Sequence, residues 1–161
     1  MKKILLHCCC APCSSASIER LLADSYQVVL FYSNSNIYPR EEYEHRLNEC
    51  VRYAQQWGVE IVEDEYKHAL WGGCAACFAY NLAKAEKKAK ELGIEEFTTT
   101  LTVSPHKISQ MIFNAAKNMA GYVPYNFKKQ DGFKRSLQLS EKYGLYRQNY
   151  CGCEYSLKAS K

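Results

Sequence analysis

The chain has 161 residues, 47% of them hydrophobic, with a net charge of +4; that size and apolar share suit one compact domain spanning 1–161 and argue against two. Only Ile4, Leu5 and Leu6 separate Lys2-Lys3 from His7, so the apolar core of a signal peptide is absent, and no run approaches the roughly 20 apolar residues of a membrane span. A reducing cytoplasm is therefore expected, and there nine cysteines point to metal ligation or redox chemistry rather than a disulfide framework.

In chain order, Lys3 to His7 reads as a short buried strand, and the stretch Pro12 to Ser15 opens a helix running to about Ala23. Val28 to Tyr32 is a second strand. Pro39 sits where a helix can begin, with Glu41 and Glu42 near its positive end. That helix runs to about Trp57 and turns Tyr43, Leu47, Cys50, Val51 and Ala54 inward. Gly58 ends it. Val59 to Val62 is a third strand, and the next helix carries Phe78, Leu82, Ala85, Ala89 and Leu92 on its core face before Gly93 stops it. Phe97 to Leu101 is a fourth, Thr-rich strand, and Pro105 begins a helix with Ile108, Met111, Ile112, Ala115 and Met119 as its core stripe. Tyr122 to Phe127 gives a fifth strand, and a weaker helix covers about Phe133 to Tyr143.

Strands alternating with helices imply a mostly parallel five-stranded sheet in a three-layer α/β sandwich. In such sheets the working loops lie at the strands' C-terminal ends. The unusual segments follow strands: His7 to Cys13, Tyr66 to Cys77, and Thr102 to Lys107.

Eight of the nine cysteines fall into clusters: Cys8, Cys9, Cys10 and Cys13; Cys74 and Cys77; Cys151 and Cys153. Cys50 lies on a core stripe and reads as packing. Cys74 and Cys77, separated by two residues, can grip one metal centre with Cys9 and Cys10, giving the four thiolates a 4Fe-4S cluster takes. A four-cysteine zinc site uses the same spacing. Against zinc stands the surplus of Cys13, Cys151 and Cys153. The glycine in Cys151-Gly152-Cys153 eases closure of a small ring, so this pair could cycle between dithiol and disulfide, or bind metal as another pair. Cys13, at a helix start, would have its thiolate stabilised by the helix dipole and could hold a second metal or the substrate.

Charge is uneven: residues 1 to 127 carry 13 Lys/Arg against 14 Asp/Glu, whereas 128 to 161 carry 8 against 3. A basic segment of this kind fits RNA as well as a merely solvated end. Its cations are Lys128, Lys129, Lys134, Arg135 and Arg147, interleaved with Phe127, Phe133, Tyr143, Tyr146 and Tyr150 for stacking on unpaired bases.

These motifs together resemble the cobalamin-independent epoxyqueuosine reductases. The matching stretches are Leu6-His7 with Cys9-Cys10-Ala11-Pro12-Cys13, Asn36-Ile37-Tyr38-Pro39, Thr98 to Lys107, Phe127-Lys128-Lys129, Gly132 to Ser136, and Tyr146 to Cys153. The resemblance implies a nucleotide-hydrolase-like α/β fold and reduction of the epoxide of epoxyqueuosine at the tRNA wobble position. It further implies a cluster on Cys9, Cys10, Cys74 and Cys77, with Cys151 and Cys153 as a redox pair. The chain departs from the family pattern in the short approach Leu70-Trp71-Gly72-Gly73 to Cys74, where a longer loop and an arginine are expected, and in Cys8, which makes the first pair a triplet.

Converting an epoxide to an alkene takes two electrons, two protons and loss of water, which side chains do not supply unaided. The set expected to do so is the cluster, a second iron near Cys13, the Cys151-Cys153 dithiol, His106 or a tyrosine as proton source, and an external electron donor. The tRNA anticodon stem-loop is the expected partner. Two rivals share some of these features. A cluster-dependent tRNA thiolase of the ATP-pyrophosphatase kind needs a Gly/Ser-rich phosphate cradle after the first strand, a place taken here by Cys8 to Cys13. A non-catalytic, zinc-stabilised RNA-binding module would hold one zinc and no sulfide.

Overall fold

The structure is a computed structural model describing residues 1–69, 73–105, 107–148, 150–154 and 156–157. Four strands, β1 (Lys2–Cys8), β2 (Tyr26–Tyr32), β3 (Glu60–Glu63) and β4 (Glu96–Thr99), form one parallel sheet in the order β3-β2-β1-β4. Helices α1 (Ala11–Ala23), α2 (Arg40–Trp57), α3 (Cys74–Glu91), α4 (Ser109–Ala116) and α5 (Gly132–Tyr143) cover it.

The alternation of β1 sorts the layers. Ile4, Leu6 and Cys8 face one core with Ile18 and Leu21 of α1 and Tyr43, Cys50, Tyr53 and Ala54 of α2. Leu5 faces the other, with Phe78, Leu82, Ala85 and Ala89 of α3 and Ile112 and Ala116 of α4. Period two in the strand and 3.6 in the helices thus produce three layers, as the pattern predicts. Cys50 is 1% exposed and serves as packing.

Helix α5 lies against α1. Its first residue, Gly132, passes so near the Phe127 carbonyl that an added Cβ would lie 1.5 Å from that oxygen.

The fifth strand is a correction. Tyr122 makes only an isolated parallel bridge to Phe97, whose N–H donates to Gly121 O while its own carbonyl accepts from Val123 N. The next donor that would face β4, Tyr125 N, turns back to Val123 O at 2.8 Å, so the ladder stops there. Threonine hydroxyls take over: Thr98 donates to Val123 O, Thr102 donates to Tyr125 O, and Thr102 also accepts from Phe127 N.

β4 is shorter than expected for a related reason. The Thr99 hydroxyl accepts from Leu101 N and turns Thr100–Val103 into a 3-10 helix. Lys107 N then donates to Ser104 O, and α4 starts only at Ser109. Ile108 is consequently 65% exposed instead of core, and Leu92, the C-cap of α3, is 44% exposed.

The order of strands fixes where a site can form. α1 and α2 carry the chain outward through β2 and β3, and α3 returns it across the opposite face to β4, beside β1. The loops after β1 and β4 therefore diverge to opposite faces, leaving a crevice at their C-terminal ends.

Candidate metal and redox centre

That crevice holds a cavity of about 520 Å³ lined by Cys9, Cys74, Cys77, Cys151 and Cys153, with Asn36, Asn81, Lys107, Ile108 and Met111 among its other walls. The volume is in the range of small-molecule sites.

β1 ends at Cys8, where Asn34 Nδ2 donates to the Cys8 carbonyl at 2.9 Å. His7 beneath it is fully buried. Its Nε2 lies 3.1 Å from the Ser33 carbonyl, which can only accept, so Nε2 carries the proton and Nδ1 accepts from the Thr99 hydroxyl at 2.9 Å. Burial holds this imidazole below its ordinary pKa, in keeping with a neutral ring.

Only Cys9 and Cys10 connect β1 to α1. Cys10 is the N-cap and Cys13 lies in the first turn, so both thiols sit at the positive end of a helix. The ligand atoms of Cys9, Cys10 and Cys13 all lie within 4.8 Å of one another, and this group can hold a metal ion. The charge is unequally shared. Donation from Cys10, then from Cys13, holds the Cys9 thiol well below its usual range despite burial, with Lys107 and the Thr100 hydroxyl adding to the effect. For Cys10 the Cys13 thiol works in the charged form's favour, but donation to Cys9 and burial prevail and push it up to about 12. Cys13, donor to both, is raised well above its ordinary value. Within this group charge is thus favoured at Cys9, with Cys10 and Cys13 as its donors.

Cys74 and Cys77 form the facing bank, in the first turn of α3 after Gly73. Three residues apart on a helix, they share one face. Burial, then the neighbouring Cys151, Cys153 and Cys74, push the Cys77 thiol up to about 12. Cys151 and Cys153 complete the wall with sulfurs 3.5 Å apart. None of the nine cysteines is joined in a disulfide.

Lys107 brings an ammonium to this ring of sulfur. Burial lowers its pKa, but Cys9, Cys13, Cys151 and Cys10 outweigh that and raise it, so the group stays charged. Two carboxamides reach the sulfurs as well. Gln148 Nε2 donates to Cys10 Sγ at 3.1 Å, and Asn81 Nδ2 is 3.7 Å from Cys77 Sγ. The carbonyl oxygens of both amides are buried without a hydrogen-bond partner.

A sequence profile described as "Epoxyqueuosine reductase QueH" matches residues 4–159. The protein of that name from Streptococcus pyogenes serotype M1 is 35% identical over 180 residues, covering 96% of this chain and 70% of its own. The chain belongs to the QueH family. Its relative from Thermotoga maritima is 32% identical, covering 98% of this chain and 91% of the relative. Among solved structures, the U34-tRNA thiolase NcsA from Methanococcus maripaludis with its [4Fe-4S] cluster superposes with a TM-score of 0.61 at 12% identity, over 92% of this chain and 58% of that one. That likeness is one of fold. It places this QueH chain in the architecture anticipated from its alternating strands and helices, and the two-residue link from β1 to α1 leaves no glycine-rich loop to wrap a phosphate.

Of the residues expected at the site, the cavity gathers Cys9, Cys74, Cys77, Cys151 and Cys153, and Cys13 joins Cys9 and Cys10 instead of standing apart. His106 and Leu70-Trp71-Gly72 lie outside the described residues. The basic set divides. Lys129, Lys134, Arg135 and Arg147 are exposed, but Lys128 turns inward and donates to Lys107 O and Ser109 Oγ. Arg135 makes a two-oxygen pair with Glu19 of α1.

The stacking aromatics are largely spoken for: Phe127 is buried on Tyr125, Tyr143 packs on Tyr53 and Trp57, and Tyr146 stacks on His45. Tyr150 donates to Tyr38 O, leaving Phe133 exposed among the five. Lys107, Asn81, Gln148 and Arg46 were not singled out from sequence. A charged residue on the buried stripe of α2, between Tyr43 and Cys50, was the available signal for Arg46.

Proposed function

We propose that this chain reduces epoxyqueuosine to queuosine in tRNA, using the sulfur-lined crevice between β1 and β4 as its reducing centre. The observation carrying this reading is the convergence of three cysteine groups, from residues 9, 74 and 151 onward, on one cavity that also admits an ammonium.

Cys9, Cys10, Cys74 and Cys77 hold a 4Fe-4S cluster, and Cys13 holds a second iron beside it. The donor set suits such a centre, since soft thiolates at two helix N-termini favour iron-sulfur ligation. When bound, the cluster supplies single electrons, which thiols alone do not. The remaining roles belong to side chains. Lys107 Nζ offsets negative charge and stabilises the oxygen as its bonds to carbon break. Ile108, Met111 and Phe78 exclude water around the ring, and Asn36 and Asn81 offer polar contacts to its hydroxyls. Cys151 and Cys153 act as a dithiol refilled by an external electron donor. The anticodon stem-loop lies across the exposed cations Lys129, Lys134 and Arg147.

The test is anaerobic purification with iron and sulfide analysis, followed by an assay on tRNA carrying epoxyqueuosine. About four irons with matching sulfide are expected, with a further iron tied to Cys13. In Cys74→Ser both cluster and conversion should fall to background. Full conversion by that variant, or one zinc without sulfide, would overturn the reading.

A further inference from the structure

Arg46 is 1% exposed, although it carries a permanent charge. A buried guanidinium needs partners for its N–H groups, and those of Arg46 are Glu42 on its own helix and two carbonyls at the start of the Cys-Gly-Cys segment. Nε donates to Glu42 Oε2 at 2.7 Å, Nη1 to Cys151 O at 2.9 Å and Nη2 to Tyr150 O at 3.0 Å. Glu42 is fixed in turn by the Tyr146 hydroxyl, and the Arg46 guanidinium lies 5.2 Å from the Tyr150 ring centre.

Capturing two successive carbonyls orients two successive peptide planes. The two planes held by Arg46 carry the Cys151 and Gly152 amides, and Cys151 N donates to Ser156 Oγ at 3.2 Å, while beyond them Cys153 N–H supports the Cys151 thiol and Ser156 N donates to Cys153 Sγ at 3.4 Å. Gly152 sits at φ +122, where an added Cβ would lie 2.9 Å from both Arg46 Nη1 and Ile37 Cγ1. Its carbonyl accepts from Tyr38 N at 2.7 Å. The turn is thus gripped from both sides, with its two sulfurs 3.5 Å apart and facing the cavity.

We propose that Arg46 is a positioning residue for the reduction, holding the Cys151-Gly152-Cys153 turn in the conformation from which its two thiols close to a disulfide. This rests on reading the two cysteines as a redox pair. In that step the two S–H groups give up two protons and two electrons as the S–S bond forms. The epoxide takes them up, both its C–O bonds break, oxygen leaves as water and the carbons become doubly bonded. A dithiol reductant then restores the pair.

The full chain, equilibrated in glutathione buffers and trapped by alkylation, is tested by mapping the 151–153 peptide. Relative to wild type, Arg46→Gln and Gly152→Ala lower the disulfide-to-dithiol ratio at least tenfold, about 30 mV for this two-electron couple. Arg46→Lys falls between, and iron content is unchanged. An unshifted ratio in folded Arg46→Gln overturns the role of Arg46; should that variant not fold, Gly152→Ala decides in the same way. A wild-type chain that never closes the disulfide overturns the redox-pair reading, and this inference with it.

Discussion

Gln148 and Cys10, 138 positions apart in sequence, meet through an N–H···S contact of 3.1 Å. The amide reaches the sulfur from the side of the C-terminal segment, and its own oxygen has no partner. A donor of this kind favours charge on sulfur, whether as thiolate or as metal ligand. Gln148→Leu is therefore expected to lower iron affinity by about tenfold or more, read by competition with a chelator. Retention equal to wild type would mean the contact does no such work.

Asp64 gives a pH dependence with a definite sign. Burial favours its neutral form, but Lys84 at 2.8 Å and the Ser33 hydroxyl prevail and hold its pKa below the ordinary carboxylate value. A group depressed on folding contributes stability that is fully present above its unfolded pKa, about 3.9, and lost as pH falls through the lower folded value. Urea unfolding should show stability falling below about pH 4, with a shallower fall in Asp64→Asn. That variant should also cost on the order of 1–2 kcal/mol at neutral pH. Parallel acid limbs for the two proteins would refute the assignment.

Lys134 and Arg147 border one shallow groove beside α5. Glu19 occupies Arg135, so Lys134 and Arg147, which pair with no carboxylate among the described residues, are the better reporters of RNA binding. Lys134→Glu with Arg147→Glu should weaken tRNA binding, and the slope of log affinity against log salt should flatten by roughly 0.7 to 0.9 for each phosphate no longer neutralised. Iron content should stay the same. Binding indifferent to both reversals would move the RNA to another face.

Much of this architecture can be read from local pattern. Ile4 and Leu6 alternate with Leu5, and Phe78, Leu82, Ala85 and Ala89 recur at helical spacing, so strands, helices and layers follow from period alone. The cysteine groups are equally plain, since chemistry and spacing both sit in the sequence. Less accessible are relationships set by single hydrogen bonds between distant segments. Thr98 and Thr102 replace strand pairing around Pro124, which is why Tyr122 to Phe127 reads as a strand and makes one bridge. Lys128 reads as an RNA cation because its neighbours are basic, yet Lys107 O and Ser109 Oγ capture it. The basic run carries no mark of that inward turn.

The lid over the crevice comes from far along the chain. β1 and the link after it place the first sulfurs, whereas Gln148, which meets Cys10, and Cys151, which lines the cavity with Cys9, come after α5 in the chain. During synthesis on a ribosome, the sheet can form while this mouth still gapes. Iron delivered at that stage would meet an accessible rim, and the later arrival of Gln148 and Cys151 would shut the door behind it.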